Sequence, residues 1–162
     1  MRITLTPPER LTIPKPLWRD LLLGLDQRGQ GRRESGAFLL AQVDRREVEE
    51  LVFFDDLDPD CLVGSISLGA PAFSRLWDHC ARVGRRVVAD VHTHPSSGVG
   101  LSRIDRANPM IAVPGHTAIV VPHYASRRVS RRDLGVHRFL GDAGWISAFG
   151  RAARQRVHLT RR

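Results

Sequence analysis

Two histidines stand two residues apart, His92 and His94, after the apolar run Arg86-Val87-Val88-Ala89-Asp90-Val91. The run is rich in valine and reads as a β-strand. Alternate residues of a strand share a face, so the two imidazoles converge from backbone positions about 6 to 7 Å apart. Imidazoles so placed can share one metal ion. Pro95 cannot join a ladder and ends the strand, and Ser96-Ser97-Gly98-Val99-Gly100 follows as a loop. Ser102 has the chemistry of a helix N-cap, and Asp105 stands three residues later in the first turn. From there a carboxylate can swing back to the strand end as a third, anionic ligand. Two histidines, one carboxylate and an open fourth position form the pattern of a catalytic zinc site.

The spacing His-x-His, seven residues, Ser-x-x-Asp resembles the motif of the JAMM (MPN+/JAB) metalloproteases. That motif also includes a glutamate on an earlier strand, matched here by Glu34-Ser35-Gly36-Ala37-Phe38-Leu39-Leu40. A lone His-x-His is common, but five positions in the right order are far more specific. The stretch Ala118-Ile119-Val120-Val121-Pro122-His123-Tyr124-Ala125 adds likeness to compact prokaryotic JAB proteins that stand beside ubiquitin-like E1 and E2 systems.

The resemblance implies a mixed α/β sheet with flanking helices, the JAB/MPN-like (cytidine-deaminase-like) core, over nearly the whole chain. It implies one Zn²⁺ held by His92, His94 and Asp105, with Glu34 as general base and acid and Ser102 as donor to an oxyanion. The implied target is the bond after the C-terminal glycine of a ubiquitin-like protein, in a conjugate or a fusion, with E1-like and E2-like proteins as pathway partners. Bacterial pathways of this kind resemble antiviral defence systems. Ser35, Gly36, Ser97 and Gly98 would suit a narrow channel for a glycine tail. Asp90 shares a face with His92; either it hydrogen-bonds a ligand histidine or Arg85 or Arg86 satisfies it. Other readings are a DNA-associated RadC-like protein, a trimming peptidase for sulfur-carrier proteins, and a non-catalytic scaffold, which has no need of the five residues.

The elements that carry these residues can be read around them. Residues 1–14 hold a short alternating segment, and Pro14 and Pro16 suit a helix start. Leu17, Trp18, Leu21, Leu22 and Leu25 form a helical stripe ending near Gly29-Gln30-Gly31. Residues 34–43 and 47–54 read as a hairpin. Residues 55–60 form an acidic loop beside the groove, and 62–68 alternate as a third strand. A helix over 70–83 buries Phe73, Leu76, Trp77, Cys80 and Val83, with His79 at the surface and Gly84 as its cap. After a short helix ending near Asn108-Pro109, residues 117–121, 136–140 and 157–159 read as strands. His116, His123 and His137 lack neighbours at ligand spacing and read as surface or strand-end residues. Trp145 and Phe149 read as a cover over the core.

The 162 residues suit a single domain, 1–162. No run approaches the ~20 apolar residues of a membrane span, and Met1-Arg2-Ile3-Thr4-Leu5 lacks a signal-peptide core, so a cytoplasmic protein is expected. Cys61 and Cys80 are too few for a disulfide framework and read as core or loop thiols. The net charge is +8, with Lys15 the single lysine. Codon usage explains that bias more simply than avoidance of acceptor amines. Arginine pairs at 127–128 and 131–132 and the tail from Arg151 read as solvated faces; nucleic acid is not the expected partner.

Overall fold

The computed structural model describes residues 10–63 and 65–162. Most of the alternating segment at the N-terminus lies outside them. Its end, Leu11–Pro14, forms strand β1 and passes directly into helix α1, Lys15–Gly29. Trp18, Leu21 and Leu25 of the expected stripe are buried. Gln30 closes the helix in the left-handed conformation, its N–H bonded to the Asp26 carbonyl.

Strands β2 (Gly36–Gln42) and β3 (Glu50–Phe53) form the expected hairpin. The acidic loop proves partly helical: Phe54–Leu57 is a single turn, α2, and Asp55 and Asp56 pair with Arg28 of α1. The third strand expected at 62–68 does not form among the residues described there. Ile66 and Leu68 instead pack against a hydrophobic cluster, so their apolar spacing reports burial without a ladder. Helix α3, Ala70–Val83, is capped by Gly84 at φ +67°. Its buried line is Ala72, Leu76 and Cys80; Trp77 and Val83, expected inside, are exposed. His79 is half-buried and bonds Glu50.

Strand β4, Arg85–Thr93, carries the His-x-His segment. Helix α4 (Arg103–Ala107) leads to β5 (Thr117–Val121), which pairs parallel to β4. Strands β6 (Gly135–Phe139) and β7 (Trp145–Ala148) follow antiparallel. Helix α5, Gly150–Arg156, and strand β8, Val157–Thr160, end the chain, β8 pairing parallel to β1. The main sheet has the order β3-β2-β4-β5-β6-β7. Phe149, expected to cover the core, is exposed, and Trp145 is half-buried.

Strand β2 is buried on both faces. Ala37, Leu39 and Ala41 enter a core with α1, while Phe38 and Leu40 enter a second with α2 and α3. Strand β4 alternates in step until a bulge: Leu39 pairs with Ala89 and Leu40 with Val87, so Val88 has no partner. Val88 and Ala89 therefore both enter the first core, and Asp90 and His92 turn to the second face.

Candidate metal centre

The sheet register brings the site together. Gly36 pairs with His92, and beyond it Ser35 and Thr93 are tied by two bonds: the Ser35 N–H to Thr93 Oγ1 at 3.0 Å and the Thr93 N–H to the Ser35 carbonyl at 2.9 Å. Continued one residue further, the ladder sets Glu34 opposite His94, on the face shared by Gly36 and His92. The His94 N–H extends β4 to the Val121 carbonyl, and the Tyr124 N–H closes on the His94 carbonyl at 2.8 Å. A turn with three non-glycine residues in the left-handed region, His123, Tyr124 and Ala125 (φ +54°, +55° and +57°), supplies that last bond. Such conformations cost of order 1–3 kcal/mol each and gather near functional sites.

Three ligand atoms converge. His92 Nε2 lies 3.1 Å from His94 Nε2, and Asp105 Oδ2 lies 3.3 Å from His94 Nε2 and 3.5 Å from His92 Nε2. Among the described residues these are the group that could hold a metal ion. Asp105 is placed by a capping box: its N–H donates to Ser102 Oγ at 3.1 Å, and the Ser102 N–H donates to Asp105 Oδ2 at 2.8 Å. His94 Nδ1 faces the Gly98 carbonyl at 2.9 Å. Nδ1 is therefore the donor, and the Nε2 lone pair points to the group.

The electrostatics agree with a cation site. Burial works to raise the Asp105 carboxyl, but hydrogen bonds from His92 and His94, the charge of His92 and the contact with Ser102 hold it well below the usual carboxylate range. The hydrogen bond to Asp105 raises the His94 imidazole against the effect of burial; the Gly98 carbonyl and the charges of Asp105 and Glu34 add to the rise.

A cavity of about 320 Å³ opens on the group, lined by Glu34, His92, Ser102 and Asp105 together with Asp90, Ser65, Asn108 and apolar side chains. The five expected residues of the motif are thus assembled. The expected channel is not. Ser35 is fully buried, its hydroxyl donating to the Leu25 carbonyl at 2.8 Å, so it anchors the strand start to α1. A Cβ on Gly36 would come within 2.2 Å of the Phe54 ring, so its small size serves core packing. Ser97 and Gly98 are exposed on the loop, and Gly98 contributes through its carbonyl on His94.

Asp90 meets neither a ligand histidine nor Arg85 or Arg86; its partner is His116, Nε2 to Oδ1 at 2.7 Å. His116 and His137, expected at the surface or at strand ends, are both buried: His116 does stand at the start of β5, just before Thr117, whereas His137 lies within β6. His137 bridges the Ser147 hydroxyl (2.8 Å) and the Val99 carbonyl (2.9 Å), so it clamps the loop that orients His94. Gly135 makes room, since a Cβ there would lie 1.9 Å from the Val99 oxygen. These partners are 26 and 38 residues apart in sequence, and no local pattern announces them. Cys61 and Cys80 are free, buried thiols; burial, with Asp55 and Asp58, pushes Cys61 up to about 11, which suits packing rather than ligation.

No family model matches the chain. Solved structures do resemble it. A JAB1/MPN domain protein from Archaeoglobus fulgidus is 15% identical, with 93% of this chain and 98% of that chain covered and a TM-score of 0.51. A protein from Desulfitobacterium hafniense is 14% identical, with 94% of each chain covered and a TM-score of 0.65. One from Salinibacter ruber is 21% identical over 85% of this chain and 88% of its own, with a TM-score of 0.55. The fold is that of the JAB1/MPN domain. Among the described residues, no helix is long and apolar enough to cross a membrane.

Proposed function

We propose that the chain is a zinc-dependent hydrolase of the JAMM type that cleaves the amide or isopeptide bond after the C-terminal glycine of a ubiquitin-like protein. The triangle of His92 Nε2, His94 Nε2 and Asp105 Oδ2 carries this reading. Tetrahedral Zn²⁺ with bonds of about 2.0 to 2.1 Å needs ligand-to-ligand edges of roughly 3.3 to 3.4 Å. The edges here are 3.1, 3.3 and 3.5 Å, so the residues fit the ion as they stand. Bound there, Zn²⁺ would supply Lewis acidity and bring the pKa of water toward neutrality, to about 7 in hydrolytic sites.

The chain's own side chains do the rest. Glu34 takes the proton of the attacking water and hands it to the departing amine. Ser102 donates to the oxygen that becomes negative at the attacked carbonyl. Its Oγ accepts from the Asp105 N–H. A hydroxyl has one donor and two acceptor sites, so the capping bond leaves its proton for catalysis.

The substrate class rests on the motif's resemblance. A glycine-rich tail is extended and can add to a sheet edge; the edges here are β3 and β7. Precursor processing and deconjugation, in a cytoplasmic and antiviral setting with E1-like and E2-like partners, both use this chemistry. So does trimming of a sulfur-carrier protein.

Elemental analysis of protein purified in zinc is expected to give one ion per chain. A ubiquitin-like fusion ending its first module in Gly-Gly should be cut, with activity lost to a chelator and regained with zinc. A zinc-replete chain that holds no ion overturns the reading. So does a loaded chain that cuts no cognate fusion.

A further inference from the structure

We propose that Asp90 is a specificity residue: its carboxylate, on the wall of the metal-site cavity, receives a cationic side chain of the residue on the leaving side of the cleaved bond. This deepens the hydrolase reading above, which defines the leaving side.

The cavity's charge is the first observation. The chain carries +8 and 25 lysines and arginines, yet among the described residues no lysine or arginine lines the cavity; its charged lining residues are Glu34, Asp90 and Asp105. Glu34 and Asp105 have roles at the reacting centre. Asp90 has none.

Asp90 is also half-satisfied. Its side chain is 4% exposed, and its hydrogen bond to His116 uses Oδ1. Oδ2 enters no hydrogen bond among the described residues, and since none of their buried polar atoms lacks a partner, Oδ2 is open to the cavity that the residue lines. An unbonded carboxylate oxygen open to a cavity can accept from a charged donor that a ligand brings in place of water. A bond that merely tied β4 to the segment before β5 could be made by a neutral amide, without a negative charge at the cavity.

The surroundings suit a cation on an aliphatic stem. Ala118 pairs with Asp90 across the sheet and also lines the cavity, its methyl leaving room above the carboxylate. Ile66, Leu101, Met110 and Trp145 supply apolar walls along which the methylenes of lysine or arginine can lie. Asp90 stands two residues before His92 on the same face, about 6 to 7 Å along the strand. That separation matches the reach of a four-carbon stem. Where the cleaved bond is a backbone amide and its nitrogen lies at the metal group, the side chain of the same residue can reach Asp90. Acidic side chains would meet three carboxylates.

Two measurements test this. Peptides ending a glycine-rich segment in Gly-Gly and continuing with lysine, norleucine or glutamate are compared on the zinc-loaded chain. Lysine is expected to exceed norleucine in kcat/KM by about 10- to 100-fold, the worth of one hydrogen bond to a charged group, with glutamate slowest. Asp90→Asn keeps the size and an acceptor for His116, and should bring the lysine-to-norleucine ratio close to one. Separately, n-butylammonium is titrated into the loaded chain and followed by NMR, with 1-butanol as the neutral control. Saturable shifts at His116 and Ala118 with the amine alone, weakened at least tenfold by Asp90→Asn, support the assignment. Cleavage without a lysine preference, or a preference that survives Asp90→Asn, overturns it. Butylammonium binding that depends on Asp90, in a chain that cuts no peptide, supports the subsite and overturns the hydrolase reading.

Discussion

Glu34, His92 and Ser102 separate three contributions that a single loss of activity would blur. Glu34→Gln leaves the ligand triangle untouched, so zinc should stay bound while kcat falls about 10²- to 10⁴-fold, as for loss of a general base. His92→Ala removes a corner of the triangle, and elemental analysis should find the ion gone. Ser102 caps α4 and is proposed to donate to the oxyanion, and glycine divides the two roles. Glycine at an N-cap costs only a few tenths of a kcal/mol, so the melting temperature of Ser102→Gly should barely move. Its kcat should fall about 10²- to 10³-fold, as for loss of an oxyanion donor. A fall in kcat matched by an equal loss of folded protein would assign Ser102 to capping alone.

At the level of elements, the loop between β4 and α4 is held from three sides. The His123 N–H takes the Ser96 carbonyl, His94 takes Gly98, and His137 takes Val99. The last of these links β6 and β7 to the metal site. Replacing His137 with leucine leaves the Val99 carbonyl without its donor and frees the loop to tilt the Gly98 carbonyl off His94. Supporting contacts of this kind typically change metal affinity 10- to 100-fold, and chelator competition should show such a loss. A glutamine at this position would carry an amide donor to the same carbonyl, so His137→Gln should recover most of the affinity. If both variants bind zinc like the parent, the clamp is structural only.

Across the whole molecule, acid should destabilise the fold in two stages. Burial, with the nearby charges of His92, Arg106 and His94, depresses the His137 imidazole, although the Val99 carbonyl pulls the other way. Below its ordinary value of 6.5 the unfolded chain takes up this proton and the folded chain does not, so stability falls as pH drops through 6.5. Burial works to raise the Glu50 carboxyl, but bonds from Arg85 and His79 hold it below its ordinary 4.5. Its contribution is present above 4.5 and is lost as pH falls through the lower folded value. Urea unfolding of metal-free protein between pH 7.5 and pH 5 should therefore show a shallower decline for His137→Gln than for the parent. Equal slopes would mean that His137 takes up its proton in the fold as readily as in the unfolded chain.

The same scale explains what could be read beforehand. The ligands lie within one strand, one loop and one helical turn, so their spacing in sequence is their spacing in space. Helices α1 and α3 announce themselves by apolar stripes and by the left-handed caps at Gln30 and Gly84. Residues 62–68 misled because apolar alternation records which side chains are covered, whereas a strand needs a neighbour to bond. Strand β7 and helix α5 are too short, at four and seven residues, to repeat a pattern. The arginine runs lie at the surface as read, and the fold adds only their grouping: Arg131, Arg132, Arg151 and Arg154 meet with Arg10 and His158 around one open groove, from segments far apart in the chain. The partners of Asp90 and His137 arise only when strands from distant segments lie side by side.

The unpaired Val88 sets the phase of everything that follows it in β4. A residue gained or lost before the bulge can be taken up where the strand begins, at the helix cap. A residue removed between Ala89 and Thr93 would swap odd for even, driving an imidazole into the aliphatic interior and a valine out beside Asp105. Homologues with this centre should therefore vary in length upstream of the bulge and keep a fixed count downstream of it.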